Sequence, residues 1–182
     1  MKCVGNLLSL GLAATLASAA PVVERQLDLY QLQVSSPMNE DLDGRFLAIN
    51  NSTLGLFGGD IEPVKVYPVD STKEGCNELH TYPVGFVDHS IGLYGPPGLL
   101  TLVDMMNPDS IVPDDGSVAV FDTFRIVDNK VTNDAEGQWL AFPDGSNDWK
   151  VKWSDGTAVT TADYMVVDVM YISAGEGRYN GM

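Results

Sequence analysis

Apolar and polar residues alternate over short runs along most of the chain. Between residues 29 and 34, Tyr30, Leu32 and Val34 share one face, with Gln31 and Gln33 between them. This period-two spacing is that of a half-buried strand. Runs at 45–49, 54–57, 64–69, 91–94, 99–103, 118–121, 124–127, 139–142, 149–153 and 164–172 read the same way. Between them stand Asp43-Gly44, Gly58-Gly59, Gly95-Pro96-Pro97-Gly98, Asp115-Gly116, Asp144-Gly145 and Asp155-Gly156. Such clusters turn the chain, because glycine reaches positive φ and proline pre-sets its own. No stretch keeps a 3.6-residue period over three turns; the one helix candidate is 97–106. The pattern predicts an all-β protein.

Two of the runs resemble each other. Gly44-Arg45-Phe46-Leu47-Ala48-Ile49 and Gly137-Gln138-Trp139-Leu140-Ala141-Phe142 share the order Gly, polar, aromatic, Leu, Ala, apolar, 93 positions apart. Midway, Ile91-Gly92-Leu93-Tyr94 has the shape of a third copy. Each copy precedes a turn and a second short apolar strand, at 54–57, 99–103 and 149–153. Three units of about 46 residues, each with about four strands, are what a β-trefoil-like barrel requires, and its closure removes exposed sheet edges. The alternative is a β-sandwich with Greek-key connections.

The first residues change the setting. Lys2, an apolar stretch at 7–16 and Ala17-Ser18-Ala19 form the charged, hydrophobic and small-x-small regions of a secretory signal peptide. Cleavage after Ala19 would divide the chain into a signal peptide at 1–19, an N-terminal extension at 20–27, one β domain at 28–172 and a flexible C-terminal tail at 173–182. The 163 residues remaining suffice for one core. The full chain carries −15, and losing Lys2 makes it −16. That charge argues against nucleic acid and anionic membranes, which need basic patches.

Export also sharpens three smaller features. Cys3 leaves with the signal, so Cys76 is the sole remaining thiol and no internal disulfide can form. Glu74 and Glu78 flank it, the wrong surroundings for a reactive thiolate, so Cys76 reads as a small core residue, with a Cys76-linked dimer as the alternative to a monomer. Asn50-Asn51-Ser52-Thr53 holds two overlapping glycosylation sequons, at Asn50 and Asn51, with room for one glycan.

Catalytic motifs are sparse. His80 and His89 match no zinc spacing, and no Gly-x-Ser-x-Gly elbow is present. Asp41-Leu42-Asp43-Gly44 and Asp114-Asp115-Gly116 read as turns rather than calcium loops. No metal or other cofactor is expected. Trp139, Trp149 and Trp153 cluster around Pro143-Asp144-Gly145-Ser146-Asn147-Asp148, where aromatic rings beside Asp and Asn could stack on a sugar and bond its hydroxyls. Trp139 aligns with Phe46 and reads as core, which leaves Trp149 and Trp153 as carbohydrate-contact candidates. Their separation by four puts both on one face of a strand, as a core pair would also be.

The Val34-Ser35-Ser36-Pro37 strand end, Gly-Arg-Phe-Leu-Ala at 44–48 and Gly-Gln-Trp-Leu-Ala-Phe-Pro at 137–143 resemble the small exported proteins of filamentous fungi. That group includes the phialide-associated cell wall protein and IgE-binding allergens. The segment from Phe124-Arg125-Ile126-Val127 to Trp149-Lys150-Val151 carries the likeness furthest, although relatives keep several cysteines where this chain has Cys76 alone. The resemblance implies a secreted, wall-associated protein and carries no functional residue across. The expectation is a secreted, non-enzymatic binding or structural protein that contacts cell-wall polysaccharide or an extracellular protein. The alternatives are a secreted acid hydrolase working through two carboxylates and an effector that binds a host protein.

Overall fold

The computed structural model describes residues 24–145 and 147–180; the expected signal peptide at 1–19 lies outside them. The described chain is all-β. Its strands are β1 (Glu24–Ser35), β2 (Ala48–Asn50), β3 (Thr53–Leu56), β4 (Lys65–Asp70), β5 (Asn77–Tyr82), β6 (His89–Gly95) and β7 (Leu99–Met106). After one 3₁₀ turn at Pro108–Ser110 come β8 (Val118–Val120), β9 (Phe124–Val127), β10 (Lys130–Asn133), β11 (Gln138–Pro143), β12 (Trp149–Ser154) and β13 (Met165–Asn180). The helix candidate at 97–106 is therefore corrected to a strand: the Gly95-Pro96-Pro97-Gly98 turn reverses the chain, and Leu99 to Met106 pairs back onto β6 and forward onto β12.

Antiparallel pairing closes the sheet into a nine-stranded barrel. The circuit runs β1-β4-β5-β6-β7-β3-β12-β11-β13 and back to β1. A second circuit, β1-β4-β5-β9-β10-β13, closes a ring of six. Three hairpins, β2–β3, β6–β7 and β11–β12, meet through their second strands, because β3, β7 and β12 all pair with one another. Strand β6 carries the copy at 91–94, β11 carries residues 138–142 of its copy, and β2 carries Ala48 and Ile49, the end of the copy at 44–49. Closure leaves few unpaired edges to protect, and among the described residues no disulfide ties the sheet.

Local turn chemistry sets the registers. Asn51-Ser52 and Asp128-Asn129 each join two strands through two residues at positive φ, from +48° to +62°. Such tight hairpins favour Asn and Asp, whose short side chains tolerate the left-handed region. Inward residues of every hairpin fill the core: Leu54, Leu56, Ile91, Leu93, Leu102 and Val151 are at most 1 % exposed. Cys76 is a free, buried thiol, so in the folded domain it is not presented to a second chain.

Both ends of the predicted domain need correction. The extension at 20–27 and the tail at 173–182 contain strand: β1 starts at Glu24, β13 runs to Asn180, and they pair from Glu24↔Asn180 to Ser35↔Asp168. A bulge between Leu29 and Tyr30 on one strand and Gly175 and Ser173 on the other bends this ribbon. Gly175, at φ +91°, supplies the conformation that the bend requires. Main-chain pairing across the ribbon supplies the order that a polar, glycine-rich segment lacks locally.

Where the ribbon enters the barrel, Tyr171 stacks on Tyr30 with ring centroids 4.0 Å apart, and its buried hydroxyl has no hydrogen-bond partner. Burial, then the neighbouring Tyr30 and Asp28, raises the phenol's pKa well above the ordinary tyrosine value. Tyr171→Phe removes the orphaned hydroxyl and should stabilise the domain by about 1 kcal/mol at neutral pH. In the unfolded chain the phenol ionises near pH ~10, while in the fold it stays protonated. The unfolded state therefore binds fewer protons above that pH, and stability falls as pH rises towards the folded pKa. Thermal melts between roughly pH 9 and 12 should show this decline in the wild type and a shallower one in Tyr171→Phe; equal slopes would contradict it.

Candidate functional site

The β4–β5 hairpin and the loop before β6 build a two-lobed groove. One lobe, about 370 Å³, is lined by Tyr67, Thr81, Phe86, Asp88 and His89 among others. The other, about 550 Å³, has Ile49, Glu62, Lys65 and Tyr82 on its walls. Thr81, Pro83 and His89 belong to both. Period-two alternation sets which β5 side chains leave the core. Leu79 on β5 faces the core at 0 % exposure, so its neighbours His80 and Glu78 face outward.

Two histidine–carboxylate clusters hold the groove in shape. His80 lies between two acids: its Nδ1 is 2.7 Å from Asp88 Oδ1 and its Nε2 is 3.0 Å from Glu78 Oε2. Tyr67, opposite His80 in the β4–β5 pairing, stacks on it with centroids 5.6 Å apart and planes 27° apart. Asp88 thereby pins the end of the loop to β5. His89 Nδ1 donates to Asp104 Oδ2 at 2.9 Å, across the β6–β7 hairpin, and the other carboxylate oxygen of Asp104 is buried without a partner. With Nδ1 committed to Asp104, Nε2 is the nitrogen of His89 left to meet a ligand.

The ribbon completes one wall. Tyr82 Oη donates to the Arg178 carbonyl at 3.4 Å. A Cβ on Gly177 would lie 2.8 Å from Leu29 Cδ1 and from the Tyr82 ring, so a larger residue there would displace those side chains. At the opposite lip, Phe86 is 90 % exposed on a loop of Pro83-Val84-Gly85-Phe86-Val87. Burial, then the charge of Asp88 and Tyr179, raises the pKa of Tyr67.

The residues singled out from sequence lie elsewhere. Trp153 is 4 % exposed and meets Trp139 edge-on at 5.0 Å. That burial leaves no ring face for a sugar to lie on and takes Trp153 out of the stacking candidates. Trp149 is half-buried against the same core, in register with Pro143 and Leu56. Asn50 and Asn51 are both exposed, at the end of β2 and in its turn, where a glycan would project into solvent.

Sequence reasoning treated His80 and His89 as an unmatched metal spacing and passed over Phe86. The available signal was the apolar stretch 83–87 in a loop between the two histidines, since loops of that composition rarely stay exposed without a use. The groove's polar lining is carboxylate, imidazole, phenol, hydroxyl and the Lys65 ammonium, with an aromatic lip: a surface suited to binding hydroxyl-rich ligands. Comparison with protein-family models, with curated proteins and with solved structures finds no match.

Proposed function

We propose that the chain is a secreted, non-enzymatic β-trefoil protein that binds cell-wall carbohydrate in the groove between β4, β5 and the 83–88 loop. The trefoil reading rests on the ring of six strands and the three mutually paired hairpins, whose first strands carry all or part of a copy of the repeated motif. Export rests on the Lys2, 7–16 and Ala17-Ser18-Ala19 pattern, and the wall setting on the resemblance to exported fungal proteins. One observation carries the ligand class. An almost fully exposed Phe86 stands at the lip of a groove whose polar groups include Asp88, Glu62, Thr81 and His89. A pyranose can lay its apolar face on the ring while its hydroxyls reach those groups. The strong negative charge favours neutral polymers such as chitin or glucan over acidic ones.

The test is a glycan array with chitin and β-glucan pull-downs on the mature protein. Phe86→Ala, at an exposed position with little bearing on folding, should lower affinity about tenfold, the loss of about 1.4 kcal/mol of stacking. Trp149→Ala serves as the comparison. Loss there with Phe86→Ala silent would move the sugar to the β11–β12 hairpin; absence of glycan binding would end the carbohydrate reading. Hydrolysis of the bound glycan that disappears in His89→Ala would instead make the groove catalytic.

A further inference from the structure

A separate cleft of about 350 Å³ lies between the β2–β3 turn and the β6–β7 hairpin, at the small end of ligand-sized sites. It shares no lining residue with the groove of β4 and β5. Strand pairing builds it. Thr53 pairs with Val103, and the Asp104 amide donates to the Ser52 carbonyl at 2.9 Å, which brings the Asn51-Ser52 turn against the end of β7. Tyr94, Val103, Met105, Met106 and Ile111 make the lining mainly apolar. Tyr94 is 36 % exposed and Met106 59 %, so much of this apolar surface is open to solvent.

The two overlapping sequons differ in their relation to this cleft. Asn50 pairs with Thr53 at the foot of the turn and is not part of the lining. Asn51, at the tip of the turn, lines the cleft and is exposed. Contiguous apolar surface open to solvent marks a place where something docks. A pyranose has an apolar face that suits an aromatic ring, and N-acetylglucosamine adds a methyl group. A sugar fixed to Asn51 is held beside the cleft at high effective concentration, so even a weak contact is occupied.

We propose that Asn51, rather than Asn50, carries an N-linked glycan whose first N-acetylglucosamine lies over this cleft, against Tyr94 and Met106. The outer sugars run on into solvent. The glycan depends on the export proposed above, since its transfer takes place in the secretory lumen. There the Asn51 Nδ2 attacks C1 of a lipid-linked oligosaccharide. The N–C1 bond forms, the C1–O bond to phosphate breaks, the lipid pyrophosphate leaves, and Nδ2 gives one proton to a base of the transferase.

Expression of the full chain, with its own first residues, in a secreting eukaryotic host tests export and site together. Electron-transfer peptide sequencing reads which asparagine carries the sugar. Asn50→Gln keeps the Asn51-Ser52-Thr53 sequon and should keep the glycan. Thr53→Val keeps the branched shape but removes the hydroxyl that the Asn51 sequon needs, and should lower Asn51 occupancy at least about tenfold. Trimming with an endoglycosidase to a single sugar then isolates the contact. Its reference is wild type secreted while synthesis of the lipid-linked donor is inhibited, with Asn50→Gln/Thr53→Val, which carries neither sequon, as a second. Hydrogen peroxide should oxidise Met106 at least about threefold more slowly in the one-sugar form than in either reference. Met38, 97 % exposed, should react equally in all three. Retention of the chain inside the cell would overturn export and this proposal with it. A secreted chain with Asn51 bare, or with sugar on Asn50 alone, overturns the site while leaving export intact. Equal oxidation of Met106 with and without the sugar overturns its place over the cleft.

Discussion

Trp139→Ala is expected to destabilise the domain by about 4 kcal/mol, within the range for deleting a buried aromatic ring. The ring is 2 % exposed and packs edge-on against Trp153 at 5.0 Å. Its backbone pairs with Trp153 in β12 on one side and Val167 in β13 on the other. Its indole N–H donates to the Val131 carbonyl at 2.7 Å, so one side chain joins the β11–β12 hairpin to β10. Alanine would leave a cavity and also a carbonyl without its donor, and the two costs add in the same direction. Trp139→Phe separates them: most of the ring remains and the bond is lost, for about 1–2 kcal/mol. Equilibrium urea unfolding measures both. A midpoint shift at constant slope is the expected form, and a loss below about 1 kcal/mol for the alanine variant would remove the proposed anchoring role.

Trp139 also shows how far the sequence reaches. Its place in the motif 137–142, matched at 44–49 and faintly at 91–94, was legible because a buried first strand must repeat its apolar pattern in every hairpin. The structure puts 138–142 on β11, 91–94 on β6 and only Ala48 and Ile49 of the first copy on β2, the first strands of three mutually paired hairpins. Strands β5 and β10 were missed. Asn-Glu-Leu-His-Thr-Tyr and Lys-Val-Thr-Asn bury only Leu79 and Val131, too few apolar positions to show a period. The ribbon was missed for a related reason. Residues 173–180 gain order by pairing with residues some 150 positions away, a contact that no local window contains.

The groove was least legible because its parts come from separate segments. Tyr67, His80, Phe86 and Asp104 acquire joint meaning only when β4, β5, the loop and β7 are brought together. The tryptophans drew attention by being rare and clustered. Clustering is also what a core produces, and Trp153 is buried at 4 % exposure.

Gly55→Ala should be nearly as damaging as the loss of Trp139, for the opposite reason. A Cβ on Gly55 would sit 2.3 Å from the Trp149 carbonyl oxygen and 3.0 Å from Phe57 Cζ. The first contact is with backbone, which cannot swing aside as a side-chain end can. Gly55 pairs with Ala48 on β2 and with Lys150 on β12, so relief requires moving one of those strands. Moving β12 loosens a strand that also pairs with β7 and β11. The expected cost is about 3 kcal/mol, the upper end for overpacking. Gly58→Ala is the control: its Cβ would meet nothing closer than 3.6 Å, at Asp148, and no unusual φ is involved. That change should stay within about 0.5 kcal/mol, as surface substitutions usually do. Glycine in a strand hints at a close backbone approach, but only the pairing of β3 with β12 identifies the atom it approaches. If both variants melt alike, the loss would reflect chain entropy at glycine rather than the β3–β12 contact, and the tight junction of the three hairpins would not be what holds the barrel closed.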